Sequence, residues 1–302
     1  MSAVVLSRRV FLLAAIFAYL QIALGGVVRV TGSGLGCPDW PLCQGRPYPP
    51  ADLNAIIEYS HRTVGAITGV LITATVVAAW AVFRTRRPAV PWLATGSLAA
   101  VAVEGGLGGV VVASELQPWL VAVHLGLAMI ILGCLIATAV LSMEESPGVE
   151  SRPFRTLATA AVAATYLLLL TGSSVVATQA DESCRSWPLC GGGFTPDISG
   201  VNAFTMLHRG FALAAGVLIA CFLVAAYRRG MRFFAAVSMA VLVLQVAVGA
   251  ASAITGAAAA NGLHVALATL VWSGVLVTAL LALPRSDRAK QQARLQVQKT
   301  PV

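Results

Sequence analysis

Residues 37–43 read Cys37-Pro38-Asp39-Trp40-Pro41-Leu42-Cys43, and residues 184–190 read Cys184-Arg185-Ser186-Trp187-Pro188-Leu189-Cys190. Five of the seven positions agree at an offset of 147 residues. The same offset carries Tyr19 to Tyr166, Thr31 to Thr178, His61 to His208 and Arg62 to Arg209. Further along, the offset slips to 140: Gly109 maps to Gly249 and His124 to His264. Seven lost residues fit a shortened loop. A repeat of this length makes the chain two copies of one structural unit, and any reading of the fold has to be one that can occur twice.

What surrounds the repeated loops is apolar. The chain of 302 residues is 58% hydrophobic and 11% charged, whereas a soluble domain carries about a quarter charged residues. So few charges cannot cover a globular surface, and bilayer is the solvent that suits the chain. Eight runs are long enough to cross a hydrocarbon core as helix: 10–30, 60–83, 92–113, 118–141, 157–178, 204–227, 233–255 and 262–283. Backbone polar groups must pair internally in lipid, and the runs are too long for barrel strands, so they are helices. The predicted fold is an all-α integral membrane protein of eight transmembrane helices, arranged as two tandem pseudo-symmetric four-helix bundles. Residues 1–150 form the first half, 151–284 the second and 285–302 a polar tail. Four helices per half leave the two copies parallel in the membrane, a pattern also known in transporters.

The net charge of +8 invites a nucleic-acid partner, but the positions of the charges exclude it. With the N-terminus inside, the cytoplasmic segments hold fifteen of the twenty Lys and Arg: Arg8, Arg9, Arg84, Arg86, Arg87, Arg152, Arg155, Arg228, Arg229, Arg232, Arg285, Arg288, Lys290, Arg294 and Lys299. This bias predicts cytoplasmic termini. Ser7-Arg8-Arg9 resembles part of a twin-arginine export signal, but no small-residue cleavage site follows it, and it reads as a basic flank. The two long outer loops, 31–59 and 179–203, then face an oxidising compartment, which agrees with their four cysteines. Pairing Cys37 with Cys43 and Cys184 with Cys190 is the simplest arrangement, although four cysteines allow three connectivities. Each closed loop serves as a structural staple or, in the first half, as a lid over a site. Cys134 and Cys221 fall inside apolar runs and read as packing residues.

The chain has only four histidines: His61, His124, His208 and His264. One lies near the outer end of each even-numbered run, two per half. Intramembrane ionisable residues mark function by default. An imidazole ligates haem iron, and two facing histidines at one depth suit a haem plane between them. Gly65, Gly69, Gly126, Gly210, Gly216 and Gly262 leave room for a flat ring, or simply let helices pack closely. No pair of ligands shares a helix at the spacing zinc or copper requires. Arg62 and Arg209 each follow a histidine, suited either to a haem propionate or to snorkelling at a helix end. Glu58 lies three residues before His61 on the same helix face, while the second half has Thr205 there. That asymmetry predicts chemistry in one half and support in the other, with Glu58 as a base or charge stabiliser. Glu104 lies well inside the third run, a place suited to a protonated carboxyl paired with another helix, and the sequence assigns it no role.

Glu58-Tyr59-Ser60-His61-Arg62, His124, His208-Arg209 and His264, in this order and with a Cys loop after the first and fifth runs, resemble the haem A synthase family. The resemblance covers residues 10–283. It implies an oxidoreductase of the bacterial plasma membrane that converts a methyl group of haem O to the formyl group of haem A for terminal oxidases. It implies haem O at His61 and His124, a haem b cofactor at His208 and His264, Glu58 as the catalytic carboxylate, and Cys37 and Cys43 in haem transfer or redox exchange. Haem O synthase, oxidase assembly proteins and an electron acceptor are the partners it implies. Other classes consistent with the duplicated histidines are a dihaem b-type cytochrome that only carries electrons, and a haem transporter.

Overall fold

The computed structural model describes residues 2–143, 148–149 and 151–283. The tail residues 285–302, with their basic cluster, lie outside the described residues. Among the described residues eight helices are long and apolar enough to cross a membrane. These are α1 (Ala3–Val30), α2 (Leu53–Phe83), α3 (Ala89–Ala113), α4 (Pro118–Leu141), α5 (Arg152–Ala177), α7 (Asn202–Arg228), α8 (Arg232–Thr255) and α9 (Ala258–Leu281); a single turn, α6 (Ala180–Ser183), lies in the second outer loop. At about 1.5 Å per residue they run roughly 36 to 46 Å, longer than the ~30 Å hydrocarbon core.

Most helices begin before the apolar runs do. The largest differences are α1 and α2, each of which starts seven residues early, at Ala3 and at Leu53. Asp52 stops the preceding chain and caps α2 by accepting the Ala55 N–H at 2.9 Å. Its first two turns carry Asn54 and Glu58, too polar for a hydropathy reading to include but helical once capped. Glu58 is therefore a helix residue.

Adjacent helices in each half pack in the same order: α1 on α2, α2 on α3 and α3 on α4, then α5 on α7, α7 on α8 and α8 on α9. Between the halves α1 packs on α9, α4 on α5 and α4 on α9. The centre is thus built from α1, α4, α5 and α9, with α2–α3 and α7–α8 on the flanks. Lipid offers little hydrophobic drive for this assembly, so close packing of small residues supplies it. On α1, Ala14, Ala18, Ile22 and Gly26 recur every four residues and are all buried. A Cβ on Gly26 would lie 3.3 Å from Val265 Cγ1 of α9. Gly133 of α4 admits the Trp272 ring, whose Cζ2 lies 3.2 Å from where a Cβ would be. The Trp272 indole N–H then donates to the Met129 carbonyl of α4 at 3.1 Å, and Tyr166 of α5 donates to the Gly126 carbonyl at 3.2 Å. The buried Trp272 and the partly buried Tyr166 thus pin the second half to α4. Trp272→Ala should destabilise the protein by roughly 3–5 kcal/mol, read as a lowered melting temperature in detergent.

Basic residues also cap α4 at its C-terminal end. Arg8 donates to the Ser142 carbonyl at 2.7 and 3.1 Å, and Arg87 donates to the carbonyls of Leu141 and Met143 at 2.8 and 2.7 Å. Cations at a helix C-terminus satisfy orphan carbonyls and match its dipole.

Candidate functional site

The four histidines fall at matching depths. His124, His208 and His264 are each the seventh residue of α4, α7 and α9, and His61 is the ninth of α2. At about 1.5 Å per residue this is roughly 10 Å from each helix start. The helices α2 and α4 both pack on α1 and α3, and α7 and α9 both on α5 and α8, so the fold groups His61 with His124 and His208 with His264.

A glycine on the preceding odd-numbered span makes room for every imidazole. A Cβ on Gly25 of α1 would lie 3.1 Å from His61 Cε1, one on Gly108 of α3 3.4 Å from His124, one on Gly172 of α5 3.2 Å from His208 and one on Gly249 of α8 2.7 Å from His264. The glycines singled out from sequence have other surroundings. Gly65 faces Gln21, Gly126 faces Tyr166 and Leu170, Gly262 faces Val30, and Gly69, Gly210 and Gly216 have open space beside them. Gly109, the sequence match of Gly249, faces the Trp40 ring of the first Cys loop at 3.2 Å, beside a cleft of about 300 Å³. The counterpart of Gly249 by position is Gly108, so α3 and α8 correspond at an offset of 141 while His124 and His264 keep 140. One residue of the shortening falls between these helices and the next.

The same helices supply a polar neighbour for each ring. Gln21 Nε2 lies 3.2 Å from His61 Nε2, Gln245 Nε2 3.4 Å from His264 Nε2, Glu104 Oε1 3.2 Å from His124 Nδ1 and Thr171 Oγ1 3.0 Å from His208 Nδ1. Three of these partners sit one helical turn before the matching glycine, as Gln21-x-x-x-Gly25, Glu104-x-x-x-Gly108 and Gln245-x-x-x-Gly249. This spacing is the signal through which the sequence could have disclosed them. The Glu104 contact is close, but it lies off the ring N–H direction and is not a formed hydrogen bond.

Hydrogen bonding around the rings is incomplete. The buried Nδ1 atoms of His61, His124 and His264 have no hydrogen-bond partner, and neither do Gln21 Oε1, Gln245 Oε1 and Glu104 Oε2. Buried polar atoms are rarely left so. Turning a glutamine amide over sets its oxygen to accept the ring N–H and frees the opposite nitrogen's lone pair. Imidazoles oriented this way are what a haem iron requires, since a ligating histidine donates its other N–H to a nearby acceptor. The donor set therefore fits one haem in each half.

Beside the first pair stands a structure absent from the second. Glu58 is 3% exposed. Its Oε2 accepts the Cys37 N–H at 2.8 Å, and its Oε1 accepts from Arg62 Nη2. Arg62 also donates to the carbonyls of Cys37, Asp39 and Leu42 at 2.6, 2.6 and 2.7 Å. Glu58 and Arg62 thus clamp the first Cys loop onto α2. Charge-assisted bonds of this kind are the strong ones. Arg209 makes a thinner contact, donating to the Pro188 carbonyl at 3.0 Å with Cys190 Sγ at 3.9 Å. Thr205, where the first half has Glu58, donates instead to the Ala180 carbonyl at 3.2 Å. Disulfides join Cys37 to Cys43 and Cys184 to Cys190, while Cys134 and Cys221 are free.

Asp39 fastens the far side of the first loop, accepting from the backbone N–H of Gly45 at 2.7 Å and from that of Gln44. The Gly45 bond first, then that of Gln44 and the charge of Arg62, hold this exposed carboxyl below the usual carboxylate range. A depressed value contributes stability above the unfolded pKa of about 3.9, lost as pH falls through the folded value. Wild type should therefore lose more melting temperature than Asp39→Asn between about pH 5 and pH 3.

Comparison with known proteins identifies the family of the chain. The sequence model of the COX15-CtaA family, described as cytochrome oxidase assembly protein, matches residues 8–276. A heme A synthase of Symbiobacterium thermophilum is 32% identical over 247 residues, covering 76% of this chain and 80% of its own. The heme A synthase of Staphylococcus epidermidis is 27% identical over 292 residues, covering 91% and 95%, and that of Listeria monocytogenes 28% over 276, covering 86% and 87%. Matched along nearly its whole membrane-spanning length, the chain belongs to the COX15-CtaA family of cytochrome oxidase assembly proteins.

Proposed function

We propose that this protein is a haem A synthase, a multi-pass membrane oxidoreductase that converts the methyl group of haem O to the formyl group of haem A. The reaction runs in two oxidations, to a hydroxymethyl group and then to a hydrated aldehyde that loses water. The observation that carries this reading is the asymmetry between two otherwise matched histidine pairs. Both halves present ligands for a haem, but only the first has carboxyl groups at these places, Glu58 three residues before His61 and Glu104 3.2 Å from His124, where the second half has Thr205 and Gln245.

The first half, residues 1–150, holds the substrate haem O between His61 and His124. The second half, residues 151–284, holds haem b between His208 and His264. When bound, haem b supplies one-electron redox chemistry that passes the substrate's electrons to an acceptor. Glu58 is the catalytic carboxylate. Its bonds from the Cys37 N–H of the loop and from Arg62 of α2 fix it, and each oxygen keeps a lone pair with which to take a proton. Arg62 holds Glu58 and the loop in place, with its guanidinium beside the outer edge of the site where a propionate would sit. Arg209, with fewer bonds, is the propionate partner in the second half. The protein sits in the bacterial plasma membrane with both termini cytoplasmic and both Cys loops outside, delivering haem A towards terminal oxidase assembly and receiving haem O from its synthase.

Haem composition tests the division of labour. Purified protein made with a haem O supply should carry haem b together with haem O or haem A. Two identical b haems and an unaltered haem O pool would favour a dihaem electron carrier instead. Glycine contacts rank a second set of variants. Gly249→Ala puts a Cβ 2.7 Å from the His264 ring and Gly108→Ala only 3.4 Å from that of His124. The Soret absorbance per chain should fall markedly in Gly249→Ala and little in Gly108→Ala.

A further inference from the structure

Each histidine has a polar neighbour on the adjoining helix, but these neighbours are chemically unlike. His61 and His264 face glutamine amides and His208 faces a threonine hydroxyl, all of which can donate or accept. His124 alone faces a carboxyl group, Glu104, 3.2 Å from Nδ1. The second oxygen of Glu104 and the His124 Nδ1 have no hydrogen-bond partner. A carboxyl group so deep in a membrane span is costly unless a partner uses it. At the corresponding place in the second half, one turn before Gly249, stands Gln245, nearly isosteric with glutamate.

We propose that Glu104 is a positioning residue for the substrate haem: it accepts the Nδ1–H of His124, aims Nε2 at the iron and makes this imidazole a stronger donor than its counterpart His264. The inference rests on the reading of His124 as a haem ligand. Gly108 leaves the ring free to turn the small angle that aligns its N–H with Glu104. An acceptor on the outer nitrogen raises ligand basicity and fixes the tautomer. A more basic ligand favours ferric over ferrous iron, so the carboxyl group sets the first-half haem at a lower potential than an amide would. The two halves thus hold similar haems with different electron affinities, a difference to which Glu104 against Gln245 contributes.

The test is a pair of reciprocal variants, Glu104→Gln and Gln245→Glu, in the full-length protein loaded with haem. Spectroelectrochemical titration reads the two midpoint potentials, the first-half signal being the one lost in His124→Ala. Glu104→Gln should move the first-half midpoint in the positive direction and weaken haem binding there on the order of 10–100-fold, leaving the second haem unmoved. Gln245→Glu should move the second-half midpoint in the negative direction. Unchanged midpoints and affinities in variants that retain haem would overturn the role of Glu104. Equal shifts of both haems in Glu104→Gln would overturn it too, as the mark of a general structural disturbance. A wild-type protein that binds no haem would overturn the reading of the histidines as ligands and this inference with it.

Discussion

Glu58→Gln is expected to cut haem A formation by about 10²–10⁴-fold with both haem sites still filled. The amide keeps the size of the side chain, and its single oxygen can still accept from Arg62 or from Cys37, so the first Cys loop is held less tightly than by glutamate but far better than by alanine. What it loses is basicity and charge. Glu58→Ala should behave differently. It leaves the Arg62 guanidinium and the Cys37 N–H without their buried partner, a loss of roughly 3–5 kcal/mol for a broken buried pair. The alanine variant should therefore melt lower and bind less haem in the first half. Comparing the two separates the chemical role of the carboxylate from its mechanical one. A glutamine variant that still makes haem A at the wild-type rate would assign Glu58 to the loop alone.

The second large effect is expected in the other half. His208→Ala or His264→Ala removes one of two ligands, and the second-half haem should be lost while the first half still takes up haem O. Haem A formation should then stall, because the substrate's electrons have nowhere to go. Absorbance of the purified variant reads the lost haem b, and extracted haems read the accumulated haem O. The same alanine change at His61 or His124 should leave haem b in place and empty the substrate site. The four variants together assign each histidine to its half.

Much of this architecture is legible in the sequence because lipid imposes a simple rule: long apolar runs must be helices. Eight runs predict eight spans, and the single histidine near the outer end of every even run predicts the pairing by depth. What stays hidden has identifiable reasons. The early start of α2 escapes hydropathy because Asn54 and Glu58 interrupt its first two turns, which Asp52 caps. The clamp made by Arg62 is invisible because most of its targets are backbone carbonyls, which carry no side-chain signature. Gly25, Gly108, Gly172 and Gly249 are obscured by the abundance of glycine in membrane helices; only packing shows which of the 28 glycines touch an imidazole. The sequence match of Gly109 with Gly249 is displaced by one residue, since Gly108 is the glycine that faces a histidine as Gly249 does. Helix faces, unlike identities, depend on rotation about the axis, and Glu104 with Gly108 presents the face that Gln245 with Gly249 presents in the second half.

Chromatography with mass detection, applied to haems extracted from cells making this protein together with haem O, tests the central claim most directly. A product at the mass of haem A, present with wild type and absent with His61→Ala, is the predicted result. Haem O left unaltered by a folded, haem b-loaded protein would contradict it.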